Sequence, residues 1–169
     1  DRYYGISVLE AAATKGHEQV VKLLLDNKAN VNAESTKFGS ALQAASFHGQ
    51  EQVVRILLEN KANVNAQNKD YNSALQSAAG GGHEQMVKIM LDYNADVNEE
   101  SGYYGHALQA ASHHGQEQVV KTLLDNKAAV NAVGGHFGNA LQAASYHGYE
   151  QVVKILLNNK AEVNAQGGP

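Results

Sequence analysis

Residues 39–66, GSALQAASFHGQEQVVRILLENKANVNA, and residues 138–165, GNALQAASYHGYEQVVKILLNNKAEVNA, are identical at 22 of 28 positions. None of the six exchanges (Ser40/Asn139, Phe47/Tyr146, Gln50/Tyr149, Arg55/Lys154, Glu59/Asn158, Asn63/Glu162) turns an apolar position polar. The wording recurs along all 169 residues. Leu9, Leu42, Leu75, Leu108 and Leu141 stand 33 residues apart, and each is followed seven residues later by a glycine: Gly16, Gly49, Gly82, Gly115 and Gly148. Asn32, Asn65, Asn98, Asn131 and Asn164 keep the same period. A fixed period of this length marks a repeat architecture, in which each unit buries its apolar face only against its neighbours. The chain divides into five units, 2–34, 35–67, 68–100, 101–133 and 134–166, forming one domain over 2–166, with 167–169 opening a further unit.

Each unit predicts two short helices and a turn. Ser40-Ala-Leu-Gln43 has the form of a capping box, in which the serine accepts from a free backbone N–H and the glutamine reaches back to the cap. Ser7 with Glu10, Ser73 with Gln76 and Asn139 with Gln142 repeat it. An Ala-rich helix follows and stops at the glycine, the residue most at ease with positive φ. The second helix, EQVVRILLEN, places Val53, Val54, Leu57 and Leu58 on one stripe. Its other face carries Glu four residues before a cation in every unit (Glu18/Lys22, Glu51/Arg55, Glu84/Lys88, Glu117/Lys121, Glu150/Lys154), the mark of a solvated face. KANVNAQNKDYN then has the composition of an extended turn.

This helix-helix-turn unit resembles the ankyrin repeat over essentially the whole chain. LEAAATKGHEQVVKLLLDNKANVNA carries the motif residues Leu9, Ala11, Ala12, Gly16, His17, Val21, Leu24, Leu25, Ala29 and Asn32. The wording FGNALQAASYHGYEQVVKILL is also similar to the ankyrin arrays of large fungal proteins, or to a consensus-like relative. The resemblance implies an all-α solenoid, a right-handed stack of helix-turn-helix units joined by extended β-turn loops, that binds partner proteins on its concave side. Two departures stand out. The family's Thr-Pro-Leu-His is replaced by Ser-Val-Leu-Glu, Ser-Ala-Leu-Gln, His-Ala-Leu-Gln or Asn-Ala-Leu-Gln, so its usual bonds between units are missing or remade by the capping boxes. The glycine after Leu-Leu-x-x is replaced by Lys28, Lys61, Asn94, Lys127 and Lys160. If that position is left-handed, each lysine costs roughly 1 kcal/mol against glycine.

Positions that differ between copies indicate where recognition lies. At the ends of the first helices they are Thr14/Lys15, Phe47/His48, Gly80/Gly81, His113/His114 and Tyr146/His147; at the turn tips they are Tyr3/Tyr4, Thr36/Lys37, Lys69/Asp70, Gly102/Tyr103 and Gly135/His136. The candidate partner-binding residues are Tyr4, Lys37, Phe47, His48, Asp70, Tyr103, His113, His114, His136, Tyr146 and His147. Phe47, Tyr103, His113 and Tyr146 form a broken aromatic row, and aromatic residues are enriched among interface hot spots. Gly80-Gly81 leaves either a dip in that row or a frayed helix end.

The histidines invite a metal reading, which spacing opposes. Equivalent atoms of stacked helices lie about 8 to 10 Å apart, whereas imidazoles sharing a zinc ion each place a nitrogen about 2 Å from it. Adjacent residues of a helix point in different directions, so His113 and His114 are not expected to share a metal with each other. The expectation is no metal and no cofactor. With eight histidines and a formal charge of −4, protonation of every imidazole would bring the chain to +4, which makes pH-dependent binding a second expectation.

Other functions find little support. A charge of −4 lacks the basic footprint of a nucleic-acid binder. No segment has the roughly 20 apolar residues of a membrane span. There is no cysteine, which fits an intracellular, cytoplasmic protein. The motifs GxxxxGK[ST], HExxH and GxSxG are absent, and the repeated glutamates sit one per unit on a solvated face, so no enzyme is expected. The expectation is a monomeric protein-binding module. The alternative is a structural or self-associating array, because AQGGP at 165–169 repeats the AVGGH of 132–136 and the fifth unit keeps an apolar pattern where a terminal unit is normally polar.

Overall fold

The computed structural model describes residues 5–35, 39–66 and 72–165. Among them run ten helices: α1 (Val8–Thr14), α2 (Glu18–Asp26), α3 (Ala41–Phe47), α4 (Glu51–Glu59), α5 (Ala74–Gly80), α6 (Glu84–Asp92), α7 (Ala107–His113), α8 (Glu117–Asp125), α9 (Ala140–His147) and α10 (Glu150–Asn158). Between α2 and α3 lie β1 (Glu34–Ser35) and β2 (Gly39–Ser40), a two-residue antiparallel ladder pairing Glu34 with Ser40; Ser101 and Gly105 form the corresponding bridge two units on. The odd-numbered helices pack on one another as one layer and the even-numbered helices as a second, so the fold is an all-α stack of helix pairs.

The first layer is built on small residues. Ala12, Ala13, Ala44, Ala45, Ala78, Ala79, Ala110, Ala111, Ala143 and Ala144 are all buried, letting neighbouring helices approach closely around Leu9, Leu42, Leu75 and Leu108. The second layer contributes the larger side chains, with Val54, Leu57, Val87, Met90, Val120 and Leu123 fully enclosed. Truncating one such leucine to alanine costs about 2 to 5 kcal/mol. Among the described residues, three of the five expected Glu-to-cation pairs close on the outer face, at 3.1 Å for Glu51 and Arg55, 2.6 Å for Glu84 and Lys88 and 2.7 Å for Glu150 and Lys154, whereas Glu18 with Lys22 and Glu117 with Lys121 do not.

Two backbone positions hold the unit's shape. The glycine after each first helix is left-handed, with φ between 69° and 75° in all five copies. At four of them a Cβ would also collide with a side chain of the next unit, for instance lying 2.3 Å from the Gln50 amide oxygen at Gly16. The residue after each second helix is left-handed too: Lys28, Lys61, Asn94, Lys127 and Lys160 have φ from 62° to 71°. The substitution for glycine there therefore carries its cost of roughly 1 kcal/mol for each lysine.

The bonds between units correct the capping-box expectation. Both halves of the box form at Ser73 with Gln76 and at Asn139 with Gln142. At Ser7 and Ser40 only the hydroxyl half forms, and His106 provides no side-chain cap. What recurs instead is a bond forward. The amide Nε2 of Gln43 donates to the Asn72 carbonyl (3.2 Å), that of Gln76 to Gly105 (2.6 Å) and that of Gln109 to Gly138 (3.4 Å). Each is a link to the residue 29 positions ahead, in the turn of the next unit.

Glu10 holds the same place in the first unit, and a carboxylate has no N–H to give. It is fully buried, and neither of its oxygens has a hydrogen-bond partner among the described residues. Glu10→Gln supplies the donor, with the Gly39 carbonyl as its acceptor by the same spacing. Chemical denaturation is expected to show a gain of about 1 to 2 kcal/mol; an unchanged or lower midpoint would contradict this account of the position.

Candidate partner-binding surface

The ends of the first helices and the turns before them line one edge of the stack, and the side chains there are unequal. On the second unit Phe47 closes α3, is 57% exposed and sets its ring edge-on to His48 at 5.1 Å. On the third unit the glycines form neither an open dip nor a frayed end. Gly81 donates to the Ser77 carbonyl at 3.1 Å, closing the helix. The space beside the glycines is taken by imidazoles: a Cβ on Gly80 would lie 3.3 Å from the His114 ring, and one on Gly81 would lie 2.6 Å from that of His83.

Beyond the glycines the rings of the fourth and fifth units merge into one cluster. Tyr103 is 54% exposed and lies face to face with His136, centroids 5.2 Å apart, while its edge meets Phe137 and Tyr104. The two turns are tied by the His136 N–H, which donates to the Tyr103 carbonyl at 2.9 Å. Tyr104 shares a hydrogen bond between its hydroxyl and His114 Nε2 at 2.8 Å. His113 packs 4.2 Å from Phe137 and, at 2.9 Å, its Nδ1 shares a hydrogen bond with Nε2 of His147. Tyr146, 79% exposed, stands over Phe137 and His147, and Tyr149 stacks on the far side of His147.

The imidazoles come closer together than equivalent positions of stacked helices. His113 and His114 have centroids 4.7 Å apart, edge to face, and His113 meets His147 of the next unit at 4.2 Å. Helix spacing governs equivalent backbone atoms, whereas His113 and His147 are 34 residues apart and reach toward each other along a diagonal. Their closeness is a hydrogen bond, and among the described residues no group of three or more His, Asp or Glu side chains is arranged to hold a metal ion.

Of the expected site residues, Tyr103, His113, His114, His136, Tyr146 and His147 come together in this cluster. Phe47 and His48 sit two helix pairs away, and Tyr4, Lys37 and Asp70 lie outside the described residues. Tyr104, Phe137 and Tyr149 belong to the cluster but were not expected. The signal for two of them was present: Phe38, Tyr71, Tyr104 and Phe137 repeat an aromatic at one place in four copies. A search for positions that vary between copies passes over such a constant.

A family model described as ankyrin repeats, in three copies, matches residues 1–68, 42–134 and 105–167. The chain belongs to the ankyrin-repeat family. None of the curated proteins matches it. Ankyrin repeats are in general protein–protein interaction modules and typically non-catalytic. Among the described residues no helix of this ankyrin array is long and apolar enough to cross a membrane.

Electrostatics distinguish the imidazoles of the array. Burial pulls His113 below its ordinary value, and His114 and His147 beside it add to the shift. His114 is lowered by burial and then by His147; His106 is lowered by burial against the opposing pull of Glu100 and Asp96. Tyr104, half-buried, is raised by burial and by Tyr103. Because the three histidines are lowered in the fold, the unfolded chain binds more protons once the pH drops below about 6.5. Their contribution to stability is complete above that pH and is lost as the pH falls through the imidazole range. The denaturation midpoint is expected to drop between pH 7.5 and 5, and to drop less in a His113→Gln, His114→Gln variant; equal slopes in the two proteins would contradict the assignment.

Proposed function

We propose that this ankyrin array is a non-catalytic module that binds a protein or peptide partner on the edge formed by the first-helix ends and turns. The ring cluster of the fourth and fifth units carries the proposal. Three of its tyrosines, Tyr103, Tyr146 and Tyr149, are exposed. Contiguous exposed aromatic surface on a protein of this size is characteristic of interaction sites, and tyrosine offers a large contact area with little side-chain entropy to lose. The partner-facing residues in this proposal are Tyr103, His113, His136, Tyr146 and His147.

A self-associating array is the competing function, favoured by the apolar side chains Leu157 and Val163, which the fifth unit leaves exposed. Selection of a displayed random-peptide library on the chain separates the two. Enriched peptides are expected to lose at least about tenfold in affinity, roughly 1.4 kcal/mol, on a folded Tyr103→Ala, Tyr146→Ala variant. They should keep their affinity on Leu23→Ala, an exposed position of the second-helix layer. Enrichment that ignores the tyrosine substitutions, or no enrichment with mass rising with concentration, would overturn the proposal.

A further inference from the structure

If the ring cluster is a partner-binding site, its charge environment specifies what kind of segment it takes. No Lys or Arg occurs between Ile89 and Val120, or between Ala128 and Val153, the stretches that supply the cluster's turns and first helices. Besides Asp92, Glu117 and Glu150 on the second helices, the acids of those stretches are Asp96, Glu99 and Glu100, on the turn leading to Tyr103. Glu100 reaches the turn that carries His136, close enough that a Cβ on Gly134 would lie 2.9 Å from its carboxylate oxygen. Burial, with His147 beside them, holds His113 and His114 below the ordinary histidine value. The chain as a whole has a formal charge of −4.

Exposed aromatic faces in an acidic setting suit one side chain above the rest. The guanidinium of arginine is planar, weakly hydrated and always charged, and it stacks on tyrosine and imidazole faces while being drawn by carboxylates. A carboxylate or phosphate would meet the like charge of Glu100. A purely apolar segment would leave the hydroxyls of Tyr103 and Tyr146 and the imidazole nitrogens unused.

We propose that the cluster of Tyr103, His136, Phe137, Tyr146 and His147 is the docking site for an arginine-bearing peptide segment of a partner protein. The guanidinium lies against the exposed tyrosine faces, with Glu100 supplying the charge preference. This deepens the protein-binding proposal above and rests on it.

The test uses the whole chain and a labelled peptide, Gly-Ser-Arg-Ser-Arg-Ser-Gly, at pH 7.5 and low ionic strength, followed by aromatic 1H–13C NMR. The comparison peptides replace both arginines by citrulline, which keeps the shape and removes the charge, by leucine or by glutamate. Saturable shifts are expected in the Tyr103, Tyr146 and His136 rings, with the citrulline and leucine peptides at least about tenfold weaker and the glutamate peptide weaker still. Tyr103→Ala and Tyr146→Ala should each weaken the arginine peptide by about three- to tenfold, and Leu23→Ala should leave it unchanged. Citrulline, leucine or glutamate binding as well as arginine, shifts confined to other residues, or no shift at millimolar peptide would each overturn the inference. If library peptides need Tyr103 and Tyr146 but carry no arginine, the arginine preference fails while the protein-binding function stands.

Discussion

The side-chain amide that reaches from one unit to the backbone of the next is the contact on which the rest of this structure depends. Asn65 shows it in full: its Nδ2 donates to the Asn94 carbonyl at 3.0 Å while its oxygen accepts from the Asp96 N–H at 2.8 Å. Asn32, Asn98 and Asn131 make the same pair of bonds to residues 29 and 31 positions ahead. Gln43, Gln76 and Gln109 do the equivalent on the other side of the unit. Apolar burial between helix pairs is large but non-directional, and alone it would tolerate sliding. The amides fix the register, because each bond is directional and forms only when the next unit's backbone group stands at one definite step.

Register at the backbone decides which side chains meet at the edge. His113 and His147 lie on different units, as do Tyr103 and His136, and each pair touches only if the stack advances by one definite step. The cluster is thus a product of the stack rather than of any single unit. Gly80 and Gly81 belong to the same device, since the absence of side chains there lets the His114 and His83 rings settle over the end of the third unit's first helix.

The sequence was informative wherever a physical requirement acts within one unit. The helix pairs, the left-handed glycines and the charged outer face follow from period, stripe and cap, while the left-handed lysines follow from the resemblance to the ankyrin pattern. Contacts between units were harder to read. Gln43 has the spacing of a capping residue, and nothing local shows that its amide turns outward to Asn72. The His113 to His147 contact was missed for a similar reason, since helix spacing describes equivalent atoms and the pair is diagonal. Tyr104 and Phe137 were overlooked because they are constant, although a constant ring at an exposed edge serves the cluster as well as a variable one.

The account stands most directly on one contact, the meeting of imidazoles across the fourth and fifth units. Nuclear Overhauser measurements on the chain labelled only at histidine, near pH 7.5, address it. Cross-peaks between the His113 and His147 rings, lost in Asn131→Ala, whose amide ties the fourth unit to the fifth, are the predicted result. Sharp, assigned rings without any cross-peak between them would contradict the claim that stacking builds the surface.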